Sequence, residues 1–251
     1  MSILKKMTDN TNHILETEHL NVWYGKKQIL FDVSLTMEKG SVLGLAGESG
    51  CGKTTLARAV VGMNRKYDGA LRVFAEDPQM IFQDPYSSLN PAKKIGWLME
   101  EPLRLDKKKK WTADERRARV SEVMRQVELD ESLRDRYPSQ LSGGQRQRIC
   151  IGIALMRSPK LLIADEPVSA LDVTIQAQII KLLQKLHAEL GLSVIFISHD
   201  LRVIWQLCDR TVIMQEGRIV EQGDTQDLYR HPQNEYTKKL LEAAGIRNMT
   251  T

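Results

Sequence analysis

Eight consecutive residues, 47–54, read GESGCGKT. Glycines at 47 and 52, followed by Lys53 and Thr54, give the spacing G-x-x-x-x-G-K-[ST], which suits the holding of phosphate. Small residues let successive backbone N–H groups turn inward. Gly47, Glu48, Ser49, Gly50, Cys51 and Gly52, with a helix start running through Thr55, therefore form a nest for anionic oxygens. Lys53 can reach the outer phosphates of a nucleotide, and the Thr54 hydroxyl can hold Mg2+. A second chemical group closes the run LLIADE, residues 161–166. Asp165 is placed to hold Mg2+ through water, and Glu166 to polarise an attacking water. Alone, an acid pair at a strand end is common in any α/β protein; it is its place downstream of a phosphate loop that gives it this reading.

These groups need elements to position them. SVLGLA, before the loop, is a buried-strand sequence, and TLARAVVG, after it, can form a helix, so the motif has the strand–loop–helix context it requires. KLLIAD and SVIFIS are further buried strands, and in open α/β sheets ligands bind at strand ends. DVTIQAQIIKLLQKLHAEL predicts a long amphipathic helix, with Ile175, Ile179, Leu182, Leu183 and Leu186 on one face and Gly191 as its C-cap. Residues 14–46 carry short β-like runs around the turn YGKKQ. DGALRVF and QMIFQ read as short strands. TVIMQEGRIVEQG reads as a hairpin turning at Glu216-Gly217, with two short helices after it.

Between these blocks, from about residue 84 to 157, the pattern becomes helical. Thr112 and Glu115 make a capping box, and Val120, Val123, Met124 and Val127 recur as one buried stripe. Pro138 marks a break before LSGGQ. Residues 1–13 read as a loose leader and 246–251 as a tail.

Composition sets limits. With 251 residues, 42% hydrophobic and 27% charged, the chain is long enough to bury a core and is ordinary for a soluble globular protein. A net charge of +4 is too mild to imply nucleic acid. Lys107 to Lys110 read as a solvated loop. Cys51, Cys150 and Cys208 are far apart and show no metal-ligand spacing, which fits a reducing cytoplasm. Cys51 is expected to be open to alkylation in the empty protein, the other two to be small core residues. No apolar run approaches the ~20 residues of a membrane span, and MSILKKMTDNTNH has no signal-peptide core. A role in transport would therefore need membrane partners.

The run LSGGQ, residues 141–145, is the most diagnostic string. With it the motifs GESGCGKT, Gln83, LSGGQRQR, LLIADE, SALD and His199 stand in a complete order, and from about residue 14 to 245 the chain resembles the ATP-binding cassette ATPases. Physically, Ser142 supplies a hydroxyl and an N-cap at a helix start, and Gly143 and Gly144 let the backbone approach an anion closely. The resemblance implies an α/β, P-loop NTPase fold: a mixed or parallel sheet with flanking helices, N-terminal antiparallel β elements, and a helical subdomain carrying LSGGQ. It implies a single nucleotide-binding domain over 14–245, with its core at about 14–83 and 158–230 and the helical subdomain at about 84–157.

The resemblance also implies ATP and Mg2+ as ligands and a head-to-tail pair of cassettes. Ser142, Gly143, Gly144 and Gln145 of one chain would close over the nucleotide on the other, and Asp172, in SALD, would lie on the loop crossing between them. Tyr24 matches the aromatic that stacks on adenine. Gln83 matches the residue that touches Mg2+ and the attacking water, Glu166 the catalytic carboxylate, and His199 the histidine that contacts the γ-phosphate. No catalytic position is degenerate.

DPYSSLNP after Gln83, HPQNEYTKKLLEA at 231–243 and DEPVSALDVTIQAQII resemble the peptide/nickel uptake group. In that group the ATPases serve two membrane permease subunits, with an extracytoplasmic binding protein delivering solute, so the expected place is peripheral, on the cytoplasmic face of the membrane. The short stretch between Asp68 and Gln83 and the early end after the last helix lean the reading towards nickel or metal-chelate uptake. The alternative is a cassette ATPase of a soluble complex such as phosphonate carbon–phosphorus lyase. A DNA-repair ATPase would interrupt the cassette with a long coiled coil, which the sequence lacks.

Overall fold

The computed structural model describes residues 12–246. Most of the expected leader, residues 1–11, and all but the first residue of the expected tail lie outside them. The chain begins with two long antiparallel strands, β1 (His13–Tyr24) and β2 (Lys27–Glu38), longer than the short runs expected around YGKKQ. There follow β3 (Val42–Ala46), α1 (Lys53–Val60), β4 (Tyr67–Val73) and β5 (Gln79–Ile81). Helices dominate the middle: α2 (Pro85–Ser88), α3 (Ile95–Arg104), α4 (Ala113–Gln126) and α5 (Gly143–Leu155), with two 3-10 turns at Glu131–Asp135 and Pro138–Gln140. The alternation then resumes with β6 (Leu161–Asp165), α6 (Val173–Leu190), β7 (Ser193–Ile197), α7 (Leu201–Leu207), β8 (Arg210–Gln215) and β9 (Arg218–Asp224). Two short helices, α8 (Thr225–Arg230) and α9 (Glu235–Ala243), follow.

The strands form two sheets. β2, β1 and β4 make an antiparallel sheet in that order. The other is six-stranded, in the order β5-β6-β7-β3-β8-β9. Its first five strands run parallel, and β9 closes it antiparallel to β8. β3, β6 and β7 are buried along their whole length, as a parallel sheet covered on both faces requires. Their side chains alternate between two cores. Val42, Leu162, Ala164, Val194 and Phe196 pack with the helices, whereas Leu43, Leu45, Leu161, Ile163, Ile195 and Ile197 pack under the antiparallel sheet. Period-2 alternation is the geometry of a strand, so each strand ties the two cores together.

Local signals hold where they were expected. Thr112 accepts from the Glu115 amide and Glu115 from the Thr112 amide, closing the capping box of α4. Val120, Val123, Met124 and Val127 are all fully buried. On α6, Ile179, Leu182, Leu183 and Leu186 are buried, each contributing about 1.5–3 kcal/mol; Ile175 is only partly covered, and Gly191 ends the helix in the left-handed region. Glu216 and Gly217 both have positive φ, 46° and 78°, the requirement of a tight two-residue hairpin. No helix among the described residues is long and apolar enough to cross a membrane.

Candidate functional site

Parallel pairing decides where the chemical groups meet. Ile81 of β5 pairs with Ala164 of β6, Asp165 with Ile197 of β7, and Ile197 with Leu45 of β3. The residues just beyond these strands therefore emerge side by side at one end of the sheet: Gln83, Glu166, His199 and the loop from Gly47. They line a cavity of about 390 Å³ with Ser49, Gly50, Gly52, Lys53, Thr54 and Thr55.

The loop is built from backbone conformations that side chains resist. Gly47, Gly50 and Gly52 have φ of 142°, 82° and 111°. A Cβ on Gly47 would sit 2.1 Å from the Met214 carbonyl oxygen, so this position must be glycine. The Lys53 ammonium is buried and donates to the carbonyls of Gly47 (2.7 Å) and Glu48 (2.8 Å). These bonds draw the lysine back across its own loop with its head at the cavity wall. Cys51 is buried, with its Sγ 3.8 Å from the Lys53 ammonium and its carbonyl accepting from the Gly217 amide. That burial runs against the accessible thiol expected from sequence. Cys150 and Cys208 are buried as expected.

Thr54 donates its hydroxyl to Asp165 Oδ1 at 3.2 Å. Asp165 is only 4% exposed, and burial raises its pKa, with the Thr54 hydrogen bond opposing the shift. A carboxylate, a hydroxyl and the nearby Gln83 amide oxygen are hard oxygen donors, the set that suits Mg2+. The donor chemistry fits the ion, and these three residues would hold it. Arg58 lines the adjoining cavity with Thr54, Gln83 and Asp165.

Glu166 stands on strained backbone, φ 46°, where its amide donates to the Ile197 carbonyl at 3.0 Å. Its Oε2 accepts from Gln83 Nε2 at 3.0 Å and lies 3.3 Å from His199 Nδ1. The carboxylate is largely covered, at 17% exposed, whereas the His199 ring is 63% exposed. One acid is thus held between an amide and an imidazole at the mouth of an anion cradle. Such a group can orient a water and accept its proton.

The other expected residues are elsewhere. Ser142 caps α5, accepting from the Gln145 amide at 3.2 Å, while Gln145 accepts from the Ser142 amide. Asp172 caps α6 through the Ile175 amide at 3.0 Å. The two turns lean on each other, since a Cβ on Gly144 would lie 2.8 Å from Ile175 Cγ2 and one on Gly143 3.4 Å from Leu171. None of Ser142, Gly143, Gly144, Gln145 and Asp172 lines the cavity, and neither does Tyr24, which is 42% exposed. On α5, the Arg146 guanidinium lies 4.1 Å from the centre of the exposed Tyr86 ring.

Sequence reasoning missed Arg58 and the braces on the loop. Besides Gly217, Tyr236 of α9 accepts from the Glu48 amide at 3.1 Å. The string HPQNEY around it was visible, but nothing in its spacing points to residue 48.

A family model described as ABC transporter matches residues 30–169. The chain is 45% identical over 226 residues to the dipeptide transport ATP-binding protein DppF of Haemophilus influenzae, covering 84% of this chain and 68% of that one. It is 46% identical to the oligopeptide transport ATP-binding protein OppF of Escherichia coli, covering 85% and 68%. With OppF of Bacillus subtilis it shares 41%, covering 94% and 84%. Among solved structures it resembles cbiO1 of Clostridium perfringens, part of the ABC transporter complex cbiONQ, with a TM-score of 0.77, 26% identity and coverage of 94% and 96%. It also resembles a dimeric ATP-binding cassette in a post-hydrolysis state bound to ADP and Pi, with a TM-score of 0.73, 26% identity and coverage of 84% and 98%.

Proposed function

This chain belongs to the ABC transporter family as one of its ATPase cassettes, and on that premise we propose that it energises the import of oligopeptides or dipeptides through separate membrane subunits. The observation that supports the catalytic half is the meeting of Lys53, Thr54, Gln83, Glu166 and His199 at the ends of four neighbouring strands. The peptide half rests on the names of the relatives. The lean towards nickel, and the alternative of a soluble phosphonate-cleaving complex, find no support among them.

In this reading the loop amides and Lys53 hold the triphosphate, and Tyr24 stacks on the adenine. Thr54, Asp165 and Gln83 would hold Mg2+, which would neutralise charge on the phosphate oxygens. Glu166 orients a water and takes its proton as the water oxygen bonds to the γ-phosphorus. The bond from that phosphorus to the β–γ bridging oxygen breaks, and ADP leaves with its charge met by Lys53. His199 and Gln83 fix the Glu166 carboxylate for this task.

Ser142, Gly143, Gly144 and Gln145 serve the nucleotide of a second cassette, since they are remote from this chain's own cavity, and Asp172 beside them crosses the same interface. Moving such a pair from mostly open to mostly closed takes about 5 kcal/mol of differential binding. Charged contacts to two triphosphates are of that order. The segment from Gln83 to Pro91, with Tyr86 against Arg146 of α5, passes the motion to the membrane subunits on the inner face of the membrane. An extracytoplasmic binding protein presents the solute on the other side.

Reconstitution of the chain with its permease subunits and binding protein tests this. ATP turnover should rise with peptide-loaded binding protein and stay flat with Ni2+. Stimulation by Ni2+ alone would overturn the peptide reading, and co-purification with a soluble enzyme assembly in place of permeases would overturn the importer.

A further inference from the structure

The string HPQNEYTKKLLEA has no part in the chemistry above, yet the fold fastens it firmly. Glu221 on β9 accepts from the backbone amides of Gln233 (2.8 Å) and Asn234 (3.1 Å) through its two carboxylate oxygens. Asn234 then caps α9, its Oδ1 accepting from the Tyr236 amide at 2.8 Å. Fully buried Thr237 and nearly buried Leu241 anchor the inner face of the helix. Clamp, cap and anchor together fix where the Tyr236 ring projects, and its hydroxyl ends 3.1 Å from the Glu48 amide nitrogen, 188 residues earlier in the chain.

Glu48 is the second residue of the phosphate loop, and its carbonyl also holds the Lys53 ammonium at 2.8 Å. The peptide plane on one side of Glu48 is thus tied to Tyr236 and that on the other to the lysine. A rotation at Glu48 would swing both the lysine anchor and the amides that follow. We infer that Tyr236 is a positioning residue for ATP binding: its hydroxyl fixes the entry of the phosphate loop, and the Glu221–Asn234 clamp makes that contact depend on the docking of α9. This rests on the nucleotide reading of the cavity. It adds that the C-terminal helix and the bound nucleotide are thermodynamically coupled, and such coupling is reciprocal.

The full chain tests it by calorimetric titration with MgATP and by amide hydrogen exchange. Tyr236→Phe removes the hydroxyl alone. Loss of one such hydrogen bond should weaken ATP binding roughly three- to tenfold, with the turnover effect falling on KM rather than kcat. Glu221→Gln, which loosens the clamp without touching the loop, should weaken binding in the same direction, and the double variant should do little more than Tyr236→Phe alone, as residues acting through one contact are non-additive.

ATP should slow exchange across α9 in the natural chain and lose that effect in Tyr236→Phe, a change that a merely structural tyrosine would not produce. Unchanged affinity in Tyr236→Phe, with the natural chain binding ATP normally, overturns the inference and leaves the nucleotide site standing. Strictly additive losses in the double variant overturn the clamp. Failure of the natural chain to bind ATP removes the nucleotide reading itself.

Discussion

Glu166 Oε2 is shared by two neighbours, Gln83 Nε2 at 3.0 Å and His199 Nδ1 at 3.3 Å. The three residues come from loops after three different strands, β5, β6 and β7, and meet only because those strands are parallel and in register. A carboxylate held from both sides has little rotamer freedom left to lose on reaction, which is the geometric meaning of preorganisation.

Glu166→Gln keeps the shape and the contact with Gln83 but removes the proton acceptor. ATP turnover should fall by about 10²–10⁴-fold, the usual worth of a general base, while ATP binding persists. Phosphate-release kinetics beside a binding titration decide this, and ATP-loaded chain should accumulate as pairs on a sizing column. Turnover at the natural rate would remove Glu166 from the mechanism.

Lys53→Ala acts earlier in the cycle. The ammonium is the donor to two loop carbonyls, and in the proposed reading it is the charge that faces the phosphates. Hydrogen bonds to charged groups are worth about 1.5–3 kcal/mol, so ATP affinity should drop roughly 10- to 100-fold. Calorimetric titration with MgATP reads this directly.

Ser142 can be dissected because its role as helix cap and its proposed role against a second cassette's nucleotide want different things. Any good N-cap side chain preserves α5, but only an uncharged one tolerates a neighbouring triphosphate. Ser142→Asp should therefore melt within about 0.5 kcal/mol of the natural chain and bind ATP in its own cavity, yet fail to pair in ATP. Scanning calorimetry and sizing chromatography separate the two. Pairing at the natural level would argue against a shared nucleotide.

Burial pushes the Cys150 thiol up from 9.0 to about 12, with the charge of Asp84 a smaller cause. The thiol stays protonated in the fold while the unfolded chain loses its proton above pH 9. By linkage, stability must then fall as the pH rises through the window from 9 to about 12 and be unaffected by this group below it. Urea unfolding across that range should show the decline, and Cys150→Ala should make it shallower, whatever its effect on absolute stability; the part that remains belongs to Cys208 and Tyr229, whose buried groups are also pushed up.

The features legible in the sequence were those written in neighbouring residues. GESGCGKT, the Thr112–Glu115 box, the Gly191 cap and the Glu216-Gly217 turn each carry their whole physical cause within a few positions, and the fold realises all of them. The capping of α5 by Ser142 belongs with them. What stayed hidden was set by distance along the chain. Nothing near Glu48 announces Tyr236, and nothing near Cys51 announces Gly217. Lys107 to Lys110 are exposed, as a solvated loop should be, yet Lys108 reaches Glu76 at 2.7 Å and Lys109 lies 3.7 Å from the centre of the Trp111 ring, contacts that need a tertiary neighbour or a particular turn of the backbone.

The position of β3 has a consequence for how the protein is made. It carries the phosphate loop, but both its sheet neighbours, β7 and β8, are translated roughly 150 residues later. At ~5–20 residues per second a ribosome needs on the order of ten to thirty seconds to supply them. Until then the strand has no partner and the loop none of its later supports, so nucleotide cannot template the early nascent chain and can stabilise only a nearly finished one. A truncation before β7 should consequently yield a polypeptide with the whole glycine-rich motif and no affinity for ATP.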